Sequence, residues 1–394
     1  MAKLRLAVFN TQPPHLYYGG VERRIMETAK LLEPEADVTV YCGTKRGFRE
    51  PMQMGGVKLV PCHSTDRMFP LDNWFFNRSL LKNAQKIEAD VFEAHAVSGY
   101  GYPKKLKQLG INKPFVHTIH GVLADEYQQA KQSCSQSLRD KVANRLMHHL
   151  AGLEKQTAQN ASLIVTISNY SLKKIEENYG IPQYKVRIVP NGVDTEKFKP
   201  ADAAEARRQF GLGNEPCVLF VGSLIARKGL PLLVEAAKEV VKNRPDTKFL
   251  LVGDGPLRGQ LDATLREAKL SGNFVFLNNI KDEALPAVYN CADAFVLPSI
   301  QEGQGIVLLE AQASGVPVVA FDIGGVNEAV WNGKTGLLAE RGNIEALAEN
   351  LLKIIGDDSL GRRLGLAGRK FVSENLTWKL CAKRMLDVYR EVLQ

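Results

Sequence analysis

SIQEGQGIVLLEAQASGVPVVAF, residues 299–321, is the stretch that decides the fold. The strand-like run AFVLP (residues 294–298) comes before it, and a loop containing Gly303 and Gly305 leads into an apolar helix start at Ile306. The first backbone N–H groups of a helix have no partner within the helix and carry a partial positive charge. The order of strand, glycine loop and helix therefore predicts an anion site at this point.

Two carboxylates flank the predicted anion site. Glu302 lies in the loop, and Glu310 falls about one helical turn beyond Ile306 on the same face, because residues four apart are neighbours on a helix. Glu310 interrupts a run that is otherwise apolar or small, which a solvated helix face would not require. On the alternative interpretation, Glu302 only favours the positive helix end and Glu310 is a half-exposed surface residue. This stretch alone leaves both interpretations open.

The composition is that of a soluble globular protein. The 394 residues suit two domains of ordinary size, with 45% hydrophobic and 24% charged residues. The N-terminal MAKLRLAVFN enters a strand without the apolar stretch of a signal peptide, and no run approaches the roughly 18 apolar residues of a membrane span. Six scattered cysteines form no CxxC pair and are expected to be reduced. These features predict a cytoplasmic location.

The positive charge is concentrated in the first half. Residues 1–190 hold 26 Lys and Arg against 17 Asp and Glu, an excess of nine, whereas the remainder is nearly balanced. A basic half can attract an acidic acceptor, a membrane surface or nucleic acid, although a merely solubilising surface is also consistent with it. In the helical stretch 138–159, an apolar stripe runs beside basic residues, and we expect the stripe to face the domain core rather than a bilayer. The stripe consists of Leu138, Val142, Leu146, Leu150 and Leu153.

Short apolar runs alternate with helical patterns along both halves. Such alternation predicts parallel sheets with right-handed crossovers. The predicted strands are residues 4–9, 38–41, 90–95, 115–119 and 163–167 in the first half, and 218–222, 247–253, 274–277, 294–298 and 316–320 in the second. A linker-like break at residues 189–216 separates the halves. The fold class is therefore α/β, with two doubly wound Rossmann-like domains that we expect to face a central cleft holding the ligand.

Polar residues stand where strands of the first half end. Gly20 opens a helix after the first strand, where bare backbone suits a phosphate or sugar. His120 ends the fourth predicted strand beside a glycine and can project into a crevice, whereas His117 is expected to be packed or at the surface. Ser168 and Asn169 end the next strand, and such residues are more often helix caps than catalytic groups.

The second half places two cations in the loop after its first strand. Arg227 supplies a planar fork and Lys228 a point charge, both suited to a diphosphate. The segment 276–280, which includes Asn279 and Ile280, closes a strand and could present polar backbone groups to a flat base edge.

The chain resembles the retaining glycosyltransferases of family 4 (GT4), which have the GT-B architecture of two Rossmann-like domains. EGQGIVLLE fits the family's pair of glutamates separated by seven residues, and VPNGVD fits its interdomain stretch. Four further motifs, GGVE, ARKG, GDGP and ADAFVLPS, occur in the expected order together with the HG pair. The resemblance covers essentially the whole chain. It implies an acceptor-side domain over residues 1–190, a donor domain over 191–377 and a C-terminal helix (378–394) that packs back on the first domain.

The resemblance also implies a role for each site residue. Glu310 would hold the ribose of a nucleotide-sugar donor, and Glu302 hydroxyl groups of the donor sugar. Lys228, with Arg227, would neutralise the departing diphosphate, and His120 would lie near the reacting carbon as a group that positions and stabilises. The nucleotide base would lie near Asn279 and Ile280, and Gly20 would give the phosphate close backbone access. The sugar and phosphate oxygens would meet the amides of Gly303, Gln304, Gly305, Ile306 and Val307.

The implied reaction is hexosyl transfer with retention from a UDP- or GDP-sugar to a sugar, lipid-linked or polysaccharide acceptor. No Asp-x-Asp pair occurs, so we expect no metal and no cofactor beyond the donor. Nucleic acid is not among the implied partners, whereas peripheral contact of the basic first domain with the inner membrane face is compatible with the family. Ser223 stands where the family often has arginine, so Arg227 would have to supply that charge, and Gln304 stands where it commonly has an aromatic residue. Epimerisation or phosphorolysis on the same fold, or a membrane-binding module without activity, are the alternatives.

Overall fold

The computed structural model describes residues 3–17, 19–66, 70–132, 138–278 and 280–394, without the side chains of residues 132 and 138–141. The chain divides into two compact units. The first comprises Met1–Asn191 together with Trp378–Gln394, and the second comprises Gly192–Thr377. Each unit is built around one sheet with helices packed against it.

The first unit contains a sheet whose described strands follow the order β3-β4-β2-β1-β5-β6-β7-β8. All neighbouring strands pair in parallel except β3 and β4, which are antiparallel. The strands are β1 (Leu4–Asn10), β2 (Ala36–Gly43), β3 (Met52–Met54), β4 (Val57–Cys62), β5 (Val91–His95), β6 (Phe115–Ile119), β7 (Leu163–Thr166) and β8 (Val186–Ile188).

The helices of the first unit include the last helix of the chain. They are α1 (Gly20–Leu32), α2 (Leu71–Lys82), α3 (Tyr102–Gln108), α4 (Leu123–Gln132), α5 (Leu138–Asn160), α6 (Asn169–Tyr179) and the C-terminal α15 (Trp378–Glu391). The C-terminal helix packs on α1, where the buried Arg24 guanidinium reaches Met385 Sδ at 3.4 Å. Arg24 also donates to the carbonyl oxygen of Val189 at 2.8 Å, so one buried cation ties the start and end of this unit together.

One helix expectation holds for only part of the helix. Leu150 of α5 is buried, but Val142 is 70% exposed, and the side chain of Leu138 lies outside the described residues. The apolar stripe of α5 therefore faces the core only toward the end of the helix. Sequence periodicity gives the faces of a helix but not how far along its length a neighbour covers them.

The second unit contains a sheet whose described strands follow the order β11-β10-β9-β12-β13-β14, all in parallel. Its strands are β9 (Cys217–Val221), β10 (Lys248–Val252), β11 (Phe274–Leu277), β12 (Ala294–Leu297), β13 (Val318–Asp322) and β14 (Gly336–Glu340). Its helices are α7 (Ala204–Gln209), α8 (Leu230–Asn243), α9 (Arg258–Glu267), α10 (Leu285–Asn290), α11 (Ile306–Ala313), α12 (Val326–Ala329), α13 (Ile344–Gly356) and α14 (Asp358–Asn375).

The strand order reverses direction once in each unit. The candidate sites lie where this reversal occurs. In the first sheet β1 lies between β2 and β5, and in the second β9 lies between β10 and β12. The chain connections to its two neighbouring strands run to opposite sides of such a strand. This arrangement opens a crevice at the carboxyl ends of the strands. The central strands β9 and β12 are buried on both faces, as is typical of parallel sheets, and the predicted doubly wound α/β class is confirmed.

Candidate functional site

The loops after β9 and β12 are bound to each other at the crevice of the second unit. The backbone N–H of Ile300 donates to the carbonyl oxygen of Arg227 at 2.9 Å. Gly229 adopts a left-handed φ of 68°, and a Cβ there would lie 1.8 Å from the carbonyl oxygen of Pro298. Only glycine allows this approach, so the turn that carries Arg227 and Lys228 rests directly on the end of β12.

An ion pair joins the two loops. Lys228 Nζ lies 2.6 Å from Glu302 Oε2, and the two side chains are 12% and 13% exposed. Both residues are predicted from the sequence, and the structure brings them together although 74 positions separate them. The pair uses one of the three donors of the ammonium and orients the carboxylate at the mouth of the crevice.

The helix that follows Glu302 begins at Ile306, as predicted. Its N-cap is Gly305, with a left-handed φ of 85°, and a Cβ there would lie 2.8 Å from Leu308 Cδ1. Among the residues that the structure describes, no side chain caps this helix. Ile306, Val307 and Gly303 are half-buried, whereas the Gln304 side chain is buried. The geometry thus supplies a glycine-lined helix start beside a lysine, which is the chemistry of an anion site.

Glu310 is buried with 1% exposure, so the interpretation of it as a half-exposed surface residue is wrong. Its Oε2 accepts a hydrogen bond from the hydroxyl of Tyr289 at 2.7 Å. Tyr289 is itself buried and lies on α10. The tyrosine was not among the predicted site residues. No motif spacing could identify it, because its contact with Glu310 depends on how α10 and α11 pack.

The remaining predicted residues of this unit differ in exposure. Arg227 and Ser223 are exposed, and Arg227 forms no ion pair with any part of the chain that the structure describes. Ile280 is half-buried against the core of the unit. Asn279 lies outside the described residues.

In the first unit, the helix start at Gly20 already holds a carboxylate. The side chain of Glu22 is buried beside Gly19, and a Cβ on Gly19 would lie 2.3 Å from Glu22 Oε2. Asn10 Nδ2 donates to Glu22 Oε1 at 2.9 Å. Burial raises the pKa of Glu22, against the hydrogen bonds from Asn10 and from the backbone of the same helix start. A phosphate at Gly20 would therefore meet a carboxylate that already accepts hydrogen bonds from the backbone of this helix start.

His120 lies half-buried directly after β6, and it is in contact with a second histidine. Its Nε2 lies 2.8 Å from His95 Nδ1, and the two rings are nearly parallel. His95 Nε2 in turn lies 3.3 Å from Glu93 Oε1. Burial lowers the pKa of His120 well below its usual range, and the neighbouring His95 lowers it further. His120 is therefore a neutral imidazole at physiological pH.

The structure also shows which polar residues of this unit serve its fold. His117 is fully buried and its Nε2 lies 2.6 Å from the carbonyl oxygen of Ala96, with burial lowering its pKa to about 4. Ser168 caps α6, since its side chain accepts from the backbone N–H of Ser171 at 3.1 Å. Both results agree with the packed histidine and the helix cap that the sequence indicated. His95 was missed, although it ends a predicted strand as His120 does.

No group of three histidine, cysteine, aspartate or glutamate side chains that could hold a metal ion occurs among the described residues. Among the helices of the described ranges, none combines the length and the apolar character needed to cross a bilayer.

Comparison with known proteins assigns the family. The model for glycosyltransferase family 4 matches residues 18–197, and the model for group 1 glycosyl transferases matches residues 202–371. The chain is 32% identical to a D-inositol 3-phosphate glycosyltransferase of Corynebacterium urealyticum over 95% of this chain and 91% of that protein. It is also 32% identical to a GDP-mannose-dependent alpha-(1-6)-phosphatidylinositol monomannoside mannosyltransferase of Mycolicibacterium smegmatis, over 59% of this chain and 63% of that protein.

The fold is shared with solved glycosyltransferases of the GT-B type. Sucrose-phosphate synthase from Thermosynechococcus elongatus superposes with a TM-score of 0.86 at 23% identity, covering 99% of each chain. The predicted family and fold are both confirmed. The chain belongs to the family 4, group 1 glycosyltransferases.

Proposed function

We propose that the protein transfers a hexosyl group from a nucleoside-diphosphate sugar to an acceptor hydroxyl, with retention of the anomeric configuration and without a metal ion. One observation carries the proposal: the Lys228–Glu302 pair stands at the carboxyl ends of β9 and β12, directly before the uncapped start of α11. A cation, a carboxylate and the backbone amides of a helix start at one crevice suit a ligand that combines a diphosphate with a sugar.

The diphosphate binds at the start of α11. The amides of Gly303 to Val307 face its oxygens, and the helix dipole adds to their attraction. Lys228 donates to the bridging or terminal oxygens with the donors that Glu302 does not use, and Arg227 covers the exposed side. When the bond from the sugar to the diphosphate breaks, negative charge grows on the departing oxygen, and these groups stabilise it.

The two glutamates hold the hydroxyl groups of the donor. Glu302 accepts from hydroxyls of the sugar while Lys228 holds its other side. Glu310 accepts from the ribose, in an orientation that its bond with Tyr289 fixes. This division places sugar recognition in the loop and nucleoside recognition one helical turn later.

Transfer with retention follows a front-side route in this proposal. The acceptor hydroxyl attacks on the face that the diphosphate leaves, and the departing phosphate oxygen takes the acceptor proton. The neutral imidazole of His120 positions the donor sugar by hydrogen bonding. No carboxylate has to become covalently attached to the sugar, and Glu302, bound to Lys228, is already occupied as a hydrogen-bonding group.

The donor is a UDP- or GDP-sugar and the acceptor a sugar, a lipid-linked sugar or a polysaccharide. The names of two relatives, one a GDP-mannose-dependent mannosyltransferase and one a glycosyltransferase of inositol phosphate, support a hexose donor and a polyol-type acceptor. Both relatives support the class of reaction rather than one pair of substrates.

Thermal-shift screening against GDP-mannose, UDP-glucose and UDP-GlcNAc identifies the donor, followed by a transfer assay across sugar and lipid-linked acceptors. We expect one donor to raise the melting temperature and to yield a product whose anomeric configuration, read by NMR, equals that of the donor. An inverted product would refute retention. Turnover of the sugar without any added acceptor would favour epimerisation or phosphorolysis instead.

We propose further that the first unit contacts an anionic membrane surface at the cytoplasmic face. The lipid-facing surface is the exposed side of α2, where Leu71 is 49% and Trp74 45% exposed. The guanidinium of Arg78 lies 5.3 Å from the Trp74 ring. Exposed aromatic and aliphatic side chains beside a cation, in a half with nine excess positive charges, suit a bilayer interface.

Sedimentation with phosphatidylglycerol vesicles tests this contact. We expect vesicle binding to fall as the salt concentration rises, because surface charges are screened. We also expect Trp74→Ala to weaken vesicle binding about tenfold. The matched control is Tyr184→Ala, since Tyr184 is 76% exposed elsewhere in the same unit. Equal loss in both variants, or no vesicle binding, would contradict the proposed surface.

A further inference from the structure

A chain of buried polar groups runs from the crevice of the first unit to the C-terminal helix. It begins at His120, passes through His95 to Glu93 and ends at Tyr389, whose hydroxyl donates to Glu93 Oε2. Glu93 also accepts from the Thr118 hydroxyl at 2.5 Å. Apart from His120, all members are less than 9% exposed. Buried polar groups of this number are costly unless their hydrogen bonds are mutually consistent.

The carboxylate determines which nitrogen of His95 carries the proton. Two groups donate to Glu93, and His95 Nε2 faces the same carboxylate at 3.3 Å. A lone pair on this nitrogen would oppose the lone pairs of the oxygen, whereas an N–H is attracted to them. His95 is neutral, because burial lowers its pKa well below the usual range. Its single ring proton therefore lies on Nε2, and its Nδ1 is an acceptor.

The state of His95 determines that of His120 in turn. The 2.8 Å contact between His95 Nδ1 and His120 Nε2 requires one donor and one acceptor. Since His95 Nδ1 accepts, His120 Nε2 must donate. A neutral His120 then has no proton on Nδ1, which is the ring nitrogen left for a ligand.

We propose that Glu93, acting through His95, fixes the proton of His120 on Nε2 and leaves Nδ1 as a hydrogen-bond acceptor for a hydroxyl group of the donor sugar. Glu93 and His95 are thus positioning residues for His120. The role toward the sugar rests on the proposed function, whereas the proton positions do not.

The surrounding charges support this arrangement. Arg24 of α1 is a buried cation whose charge acts on Glu93, and it opposes the rise in the pKa of the carboxyl that burial causes. His117 of β6, Tyr389 of α15 and Cys381 of α15 also act on Glu93, in addition to His95. His117 donates to the carbonyl oxygen of Ala96, and no hydrogen bond joins it to His120 in the part of the chain that the structure describes. It therefore offers a matched control on the same strand.

The first test is spectroscopic and needs no substrate. Long-range 15N–1H correlation spectra of the full chain, assigned with His95→Phe and His120→Phe, show which ring nitrogen carries each proton. We expect Nε2 protonation of both histidines in the wild type, and a mixture of the two His120 forms in His95→Phe and in Glu93→Ala. Wild-type His120 protonated on Nδ1, or an unchanged His120 signal in His95→Phe, would overturn the proposal.

The second test uses turnover. His95→Phe is expected to lower kcat about 10- to 100-fold with little change in the donor KM, because the partner that orients the histidine is lost. The double variant with His120→Phe should be no slower than His120→Phe alone, since both act through one group. His117→Phe, which also removes a buried histidine bond, should retain kcat within about threefold once the folded fraction is measured.

These tests separate failure of the relay from failure of the proposed function. Transfer that depends on His120 but not on His95 refutes the relay and leaves the enzyme assignment intact. If the protons lie as expected but the protein transfers no sugar from any donor, the proposed function is refuted and the proton positions remain established.

Discussion

Lys228→Ala tests the charge at the candidate site most sharply. The ammonium is 12% exposed and Glu302 holds it at 2.6 Å, so it is placed before the donor arrives. A unit charge about 4 Å from a developing negative charge is worth about 4 kcal/mol at an effective dielectric constant of about 20. The variant also leaves the carboxylate of Glu302 without its cation, beside the leaving group. We therefore expect kcat to fall about 10²- to 10³-fold, in the range of other lost transition-state donors.

The assay is steady-state turnover of the donor identified by thermal shift, at saturating acceptor. The donor KM should change by less than about fivefold, because the interaction strengthens as charge develops on the departing oxygen. Lys238→Ala is the matched control, since Lys238 forms an exposed pair with Glu235 at 2.7 Å on α8 of the same unit. Wild-type kcat in Lys228→Ala, or an equal loss in Lys238→Ala, would refute the reasoning.

Three further outcomes are expected. Glu310→Ala should weaken nucleotide binding about 10- to 100-fold by calorimetry, because a buried carboxyl acceptor is lost, whereas the exposed Glu235→Ala should bind as wild type does; equal affinities would remove Glu310 from the site. EDTA should leave turnover intact, and a loss that magnesium restores would refute the metal-free route. Burial raises the pKa of Glu154 to about 8. The neutral side chain of Glu154→Gln should therefore make this variant more stable than wild type by roughly 1–3 kcal/mol near pH 7. In the folded protein this carboxyl keeps its proton above the unfolded pKa of 4.5, so wild type loses stability as pH rises from about 4.5 to 8. If the difference in melting temperature between Glu154→Gln and wild type stayed constant over this range, the assignment would be contradicted.

The strands that carry the sites could be predicted because they are apolar on both faces. VLFVG and AFVLP predict β9 and β12, which the structure places side by side. The strands that were missed are short or mixed in character. β3 is a largely exposed edge strand of three residues, and β14 is a short strand that mixes buried, half-buried and exposed positions, so neither gives a long apolar run.

The residues of the candidate site could be predicted, but not their partners. Lys228 and Glu302 follow from loop chemistry at two strand ends, whereas their ion pair depends on β9 and β12 being neighbours in the sheet. Glu310 follows from its charge within an apolar helix, whereas Tyr289 meets it only through tertiary packing. The pairing of His120 with His95 depends in the same way on β5 lying next to β6.

A crystal structure with the donor bound tests the central claim most directly. We expect the diphosphate oxygens to lie within about 3.2 Å of the amides that begin α11, from Gly303 to Val307, and of Lys228 Nζ. The nucleoside should lie on the side of Glu310, and the sugar on the side of Glu302. A diphosphate bound at any other strand end, with Lys228 still held only by Glu302, would contradict the account.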